Sequence, residues 1–304
     1  FGPVDLNRKS ATYGYITSTP KLAWRFYDFA GAFREALQIP VGFDTDVNGA
    51  VLGEVRFGAA KGCENALYIT IGTGVGVGAY INGKLLHGLM HPEGGHIFLQ
   101  KHPEDTYAGC CPYHGACLEG LASGLAIQGR YGKKGAELSG RDDVWELESY
   151  YIGQAVADYM MTYSPEKIIL WGGVMHQEKV FDMVRKNAKE FLNGYLPEVS
   201  LPKDLSQYIV APALGENPGI IGALCLAQEE MVCRFNSSRF LSKTNPAAMH
   251  SAFREVWWTA RATRISVNSP AQRPSPFPKG MCLPHGIILS KTAHRSFVCS
   301  VFPM

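Results

Sequence analysis

The segment from His91 to Glu119 constrains this chain more than any other. It opens as His91-Pro-Glu-Gly-Gly-His96 and closes as Cys110-Cys-Pro-Tyr-His-Gly-Ala-Cys-Leu-Glu119. His96 precedes Cys111, His114 and Cys117, and the last three stand at C-x2-H-x2-C spacing. Thiolate sulfur and imidazole nitrogen are the donors that tetrahedral zinc prefers. The segment is therefore expected to close around a metal ion and to hold Glu93 and Glu119 beside one pocket. The plainer reading is a scatter of buried thiols with a surface histidine; four ligand types in this order favour the metal. Cys110 is left over, because adjacent cysteines do not easily reach one ion together.

Eight cysteines could instead mark a secreted disulfide framework. Their clustering beside histidines in a 304-residue chain favours metal and free thiols in a reducing compartment. No run of eighteen apolar residues and no signal peptide is present, so a cytoplasmic location is expected. The net charge of +2 hides a division. Residues 1–227 hold 19 Lys+Arg against 24 Asp+Glu, whereas residues 228–304 hold 10 against 3. Such a switch marks a boundary. The basic part is rich in Ser, Arg and Pro and lacks helix or strand periodicity, so it is expected to be disordered. Its scattered charges argue against a nucleic-acid-binding tail.

Before that boundary, strands and helices alternate. Residues 1–20 hold short β-prone runs, and apolar spacing predicts a helix over 21–37. Val41–Phe43 reads as a short strand, followed by a helix from Asn48 to about Ala60. Asp46 then stands at a strand-to-helix junction, where open α/β sheets place reactive groups, although a plain helix cap fits as well. Ala66–Ile71 is a buried-strand run leading into Gly72-Thr-Gly-Val-Gly-Val-Gly78, with a hairpin at Asn82-Gly83. These glycines are followed by strand, unlike a dinucleotide motif, and lack the lysine of a P-loop. They leave backbone able to approach phosphate oxygens, with the Thr73 hydroxyl as an added donor. Helices are expected over 118–131, 144–163, 179–196 and 219–227, and strands over 167–171 and 208–211. The alternation predicts an α/β architecture with parallel strands.

Taken together, Asp44-Thr-Asp-Val-Asn48, the 72–78 turn, Glu93-Gly-Gly-His96, Cys111-Pro-Tyr-His-Gly-Ala-Cys-Leu-Glu119 and Trp171-Gly-Gly-Val174 resemble the ROK family of sugar kinases and repressors. Phe1-Gly-Pro-Val-Asp5, Gly14-Tyr-Ile-Thr17 and Thr19-Pro-Lys-Leu-Ala-Trp24 are most similar to its bacterial fructokinase branch. The resemblance spans roughly residues 1–227. It implies an α/β, actin-like ATPase (ribonuclease H-like) fold of two lobes. Residues 1–45 would be the remainder of the first lobe, 46–227 the second, and 228–304 the tail.

The resemblance also implies roles. Asp46 would be the general base, preceded by Thr45 where the family usually has Asn. Glu93, His96 and Glu119 would line the sugar site with Thr45. His96, Cys111, His114 and Cys117 would hold zinc. Gly72, Thr73 and Gly74 match a phosphate-binding turn, and Gly172, Gly173 and Gly215 match adenosine-binding segments. The implied cofactors are ATP, Mg2+ and Zn2+, and the implied assembly is a homodimer acting on a small sugar, without membrane or nucleic acid. The family's first phosphate-binding motif would lie several dozen residues before Phe1 and is absent with the first strands of that lobe, so weak or absent phosphate transfer is expected of the 304-residue chain. The alternatives are glucose or mannose specificity, or a sugar-responsive repressor.

Overall fold

The structure is a computed structural model that describes residues 2–19, 21–196, 201–202, 204–237, 288–291 and 297–300. Its contacts divide the chain into two units, Phe1–Asp44 with Ala223–Pro303, and Thr45–Gly222.

In the first unit, β1 (Tyr15–Ile16) pairs antiparallel with β2 (Tyr27–Asp28), and α1 follows over Phe29–Leu37. Val4, Leu6, Ile16, Trp24, Phe29, Phe33 and Val41 form its core. The helix expected from residue 21 starts eight residues later. Phe26 has a left-handed φ of 53°, and Asp28 caps α1 by accepting from Gly31 N at 2.7 Å. Leu22, Phe26 and Phe29 share helix spacing, but only Phe29 and Phe33 lie in the helix and the core. The strand expected at Val41–Phe43 is absent among the described residues: no neighbouring strand pairs with it.

The second unit is built on a five-stranded sheet ordered β5-β4-β3-β6-β7. Here β3 is Ala66–Ile71, β4 Val75–Ile81, β5 Lys84–Leu85, β6 Lys167–Trp171 and β7 Ile209–Val210. β3, β6 and β7 run parallel, while β4 and β5 are antiparallel to their neighbours. Asn82 and Gly83 close the β4–β5 hairpin with φ of 51° and 72°, as a type I′ turn requires. Helix α2 (Asp46–Phe57) lies over β3 and β4. Every residue from Val47 to Val55 is buried, so α2 has no solvent face, and Phe57, expected on its apolar side, is exposed.

The 118–131 helix is two helices, α3 (Leu118–Ala122) and α4 (Gly124–Tyr131). Ser123 is extended between them and caps α4 through Ala126 N at 3.1 Å. α5 (Asp142–Tyr163) and α6 (Lys179–Leu192) pack together; left-handed Asn193 ends α6 four residues before the expected point. Trp145, Tyr151, Ile152, Val156, Ile168, Leu170, Val180 and Val184 are among the buried residues that join this layer to the sheet.

Helix α7 runs over Pro218–Ser237, well past the expected Ala227, so residues 228–237, expected to be disordered, are helical. Glu230 on it accepts from Arg8 Nη2 at 2.6 Å. Ile288–Lys291 (β8) and Phe297–Ser300 (β9) form an antiparallel pair that was not expected from the sequence. The rest of the expected disordered tail lies outside the described residues. Among the described residues, no helix is long and apolar enough to cross a membrane.

Candidate active site

Three chain segments converge on the first residues of β4. The first is the start of α2. Thr45, not Asp46, is its cap, accepting from Asn48 N at 3.1 Å, while the Asp46 carboxylate at the first helical position accepts from Val47 N at 2.9 Å. The α2 backbone lies so close to β4 that a Cβ at Gly78 would overlap the Val47 carbonyl oxygen. Gly76 and Gly78 thus serve helix packing, and the turn itself is confined to Gly72–Gly74.

The second segment is residues 91–96. A 3-10 turn at Gly94–His96 follows Glu93, and Gly94 and Gly95 rest on Val77 and Val75. Tyr159 of α5 fixes this turn by donating its hydroxyl to Gly94 O at 2.7 Å. Buried His91 places Nε2 3.6 Å from Glu93 Oε1. His91 is not among the residues expected from the sequence to line the site, and its only signal there is that of a second histidine flanking the same glutamate.

The third segment is the start of α3. Glu119, in its first turn, accepts from Val75 N at 3.0 Å. Gly72 N donates to Gly74 O at 2.9 Å, and Gly124 N donates to Gly72 O at 2.7 Å, which ties the turn to α4. Glu93, Glu119 and the 72–74 turn are thereby assembled around one point of the sheet, with Asp46 at the end of the helix covering it.

Burial raises the Asp46 carboxyl above the ordinary aspartate range, with His91 pulling the other way. The helix N-terminus also favours the anion, and burial outweighs it. Glu93 is raised by burial too, opposed by His96 and reinforced by Glu119 and Asp46.

His96, Cys111, His114 and Cys117 offer one ligand atom each, all within 4.8 Å of one another. His96 Nδ1 lies 3.5 Å from Cys117 Sγ and 3.7 Å from Cys111 Sγ, and His114 Nδ1 lies 3.6 Å from Cys111 Sγ. Tetrahedral zinc with bonds of about 2.3 Å to sulfur and about 2.1 Å to nitrogen separates such atoms by about 3.6 Å. The four residues therefore fit a zinc ion. Their approach is built by local turns: Gly115 N returns to Cys111 O at 2.9 Å, and Leu118 N bonds Ile97 O at 2.9 Å. Burial pushes the Cys117 thiol up to about 11, so a cation would be needed to hold it as thiolate. Cys110 stands apart, near Ser123 Oγ at 3.7 Å.

The glycines lie along the carboxyl edge of the parallel strands. Gly72–Gly74 follow β3, and Gly172 and Gly173 follow β6. Gly172 has φ of 103°, and a Cβ there would overlap the Ile71 carbonyl oxygen. Gly215, with φ of 58°, lies in the loop between β7 and α7.

Residues 1–230 match the ROK family. A Bacillus subtilis (strain 168) relative is 55% identical over 231 residues, covering 76% of this chain and 77% of that one. The fructokinase of Pediococcus pentosaceus is 45% identical, covering 75% of this chain and 78% of its own. The fructokinase of Zymomonas mobilis subsp. mobilis is 44% identical, covering 75% of each. Among solved structures, a ROK family glucokinase from Streptomyces griseus in complex with glucose and AMPPNP superposes with a TM-score of 0.57 at 27% identity. It covers 71% of this chain and 77% of that one. A ROK hexokinase from Thermus thermophilus gives 0.57 at 25% identity, covering 67% and 73%.

Proposed function

This chain belongs to the ROK family, in its fructokinase branch and with its actin-like ATPase fold, and we propose that it phosphorylates D-fructose with ATP to give fructose 6-phosphate. The observation that carries the reading is the assembly of Asp46, Glu93 and Glu119 around the start of β4, beside the 72–74 turn.

Each group has a task that suits its surroundings. Asp46 takes the proton from the attacking sugar hydroxyl; burial keeps its proton affinity closer to that of a useful base than an exposed aspartate has. Glu93, Glu119 and the His96 ring accept or donate to the other hydroxyls, with Thr45 at the edge. The Gly72–Gly74 turn would lie along the transferred phosphoryl, offering the Thr73 hydroxyl and the backbone N–H groups of Thr73 and Gly74, since the Gly72 N–H is used within the turn, and Gly172, Gly173 and Gly215 would accommodate the adenosine. Phosphoryl transfer needs positioning and charge neutralisation more than covalent help, so this modest set suffices. Magnesium would neutralise charge on the nucleotide phosphates.

His96, Cys111, His114 and Cys117 would hold zinc as a structural ion, since protein fills all four positions. The ion would fix the loop at both ends and with it Glu93 and Glu119. The functional assembly we infer is a homodimer, which sedimentation equilibrium would read. Incubation with Mg-ATP and fructose, glucose or mannose, followed by mass spectrometry of the sugar phosphates, tests the activity. Fructose 6-phosphate in excess over the other products supports the reading; glucose 6-phosphate in excess would move the chain to a different specificity.

A further inference from the structure

Glu54 is fully buried, yet no cation partners it among the contacts of the described residues. Its carboxylate is filled by backbone donors. Oε2 accepts from Ala59 N at 2.6 Å and from Ala213 N at 3.1 Å, and Oε1 accepts from Leu214 N at 3.0 Å. Two of these three donors belong to the loop that carries Gly215, about 160 residues away in sequence. A buried carboxylate is costly unless its lone pairs are used, and charge-assisted bonds to backbone N–H groups are stronger than neutral ones. Such a residue specifies the shape of what it binds.

The loop it binds has a shape worth specifying. Gly215 is left-handed, with φ of 58°, and Asn217 N returns to Leu214 O at 3.1 Å before α7 begins at Pro218. The start of α7 lies directly on α2: a Cβ at Gly222 would overlap the Gly49 carbonyl oxygen, and one at Gly53 would come within 2.6 Å of Pro218 O. Helix α2 therefore carries Asp46 at one end and, eight residues or about 12 Å further on, grips the 213–215 loop.

We propose that Glu54 is a positioning residue for nucleotide binding, holding the 213–215 loop in register with the helix that carries the base. The inference rests on the assignment of Gly215 to the nucleotide site. It predicts that loss of the Glu54 acceptor weakens nucleotide binding without weakening sugar binding.

Calorimetric titration of wild type, Glu54→Gln and Ala213→Pro with ADP, and separately with fructose, tests this. Gln keeps the size but turns an N–H2 toward at least one N–H donor, while proline at 213 removes a donor and leaves Glu54 intact. Folding is checked by circular dichroism, and Ala213→Pro decides the matter if Glu54→Gln does not fold. The expected result is ADP affinity lowered about tenfold or more, with fructose affinity within about twofold of wild type. A merely structural role would lower both affinities alike and would overturn the proposal, as would unchanged ADP affinity or a wild type that does not bind ADP. A wild type that binds ADP but forms no sugar phosphate sinks the kinase reading alone, because the ADP titration still reads Glu54.

Discussion

Glu119 accepts a hydrogen bond from the backbone N–H of Val75 at 3.0 Å, and that single contact joins the end of the metal-ligand segment to the glycine turn between β3 and β4. A Cβ at Gly74 would come within 2.5 Å of the same Glu119 oxygen, so a side chain there would displace the carboxylate. Under the proposed function, Glu119 would serve the sugar and the nucleotide side together. Glu119→Gln is expected to raise KM for both fructose and ATP, each about tenfold, whereas Glu93→Gln raises KM for fructose alone. Steady-state kinetics with each substrate varied in turn would show whether the two variants separate in this way.

The metal cluster yields a second expectation. Wild type should carry about one zinc per chain, and Cys117→Ser should lose most of it. Chelation should lower the unfolding temperature by several degrees and raise KM for fructose, because the ligand segment holds Glu93 and Glu119. Elemental analysis with scanning calorimetry reads both effects. Unchanged zinc in Cys117→Ser would remove that residue from the set.

Gly172 and Gly173 should behave differently despite their adjacency. Gly172 is left-handed and lies against Ile71, so Gly172→Ala should cost about 2 kcal/mol or more of stability. Among the described residues nothing lies within 4 Å of the Cβ position of Gly173, so Gly173→Ala should leave stability within about 0.5 kcal/mol while lowering nucleotide affinity. Denaturant melts and ADP titrations distinguish the two.

Glu148 predicts a pH dependence of stability away from the site. It is buried, its Oε1 has no hydrogen-bond partner among the described residues, and burial pushes it up to about 8. Below about pH 4 both folded and unfolded chains carry the proton. Between there and pH 8 only the folded chain does, so rising pH draws the equilibrium toward unfolding, by at most about 1.4 kcal/mol per pH unit. Above 8 this contribution levels off. Glu148→Gln, which cannot ionise, should flatten the decline in melts taken from pH 5 to 8.

Much of this architecture is legible in the residues because its signals are local. Ala66–Ile69 and Ile168–Trp171 are continuous apolar runs within β3 and β6, which strands buried on both faces require. Asn82-Gly83 supplies the left-handed pair that a tight hairpin needs. The candidate metal ligands stand out because thiols and imidazoles crowd into one segment. What escapes sequence reading depends on distant partners. Glu54 looks like any acidic residue on a helix until Ala213 and Leu214 are seen to bind it. Gly76 and Gly78 read as phosphate-binding glycines until α2 is found lying on them. Lys21–Asp28 shares the apolar spacing of α1 but is denied to the helix by the cap at Asp28.

The central claim is that Asp46 deprotonates a fructose hydroxyl beside the 72–74 turn, and the most direct test is prolonged incubation of wild type and Asp46→Asn with Mg-ATP and fructose at high protein concentration, quantifying fructose 6-phosphate. Wild type should form product, however slowly, and Asp46→Asn should form it at least about a hundredfold more slowly while binding fructose as tightly. Equal yields from the two proteins, or no fructose 6-phosphate from wild type, would contradict the account.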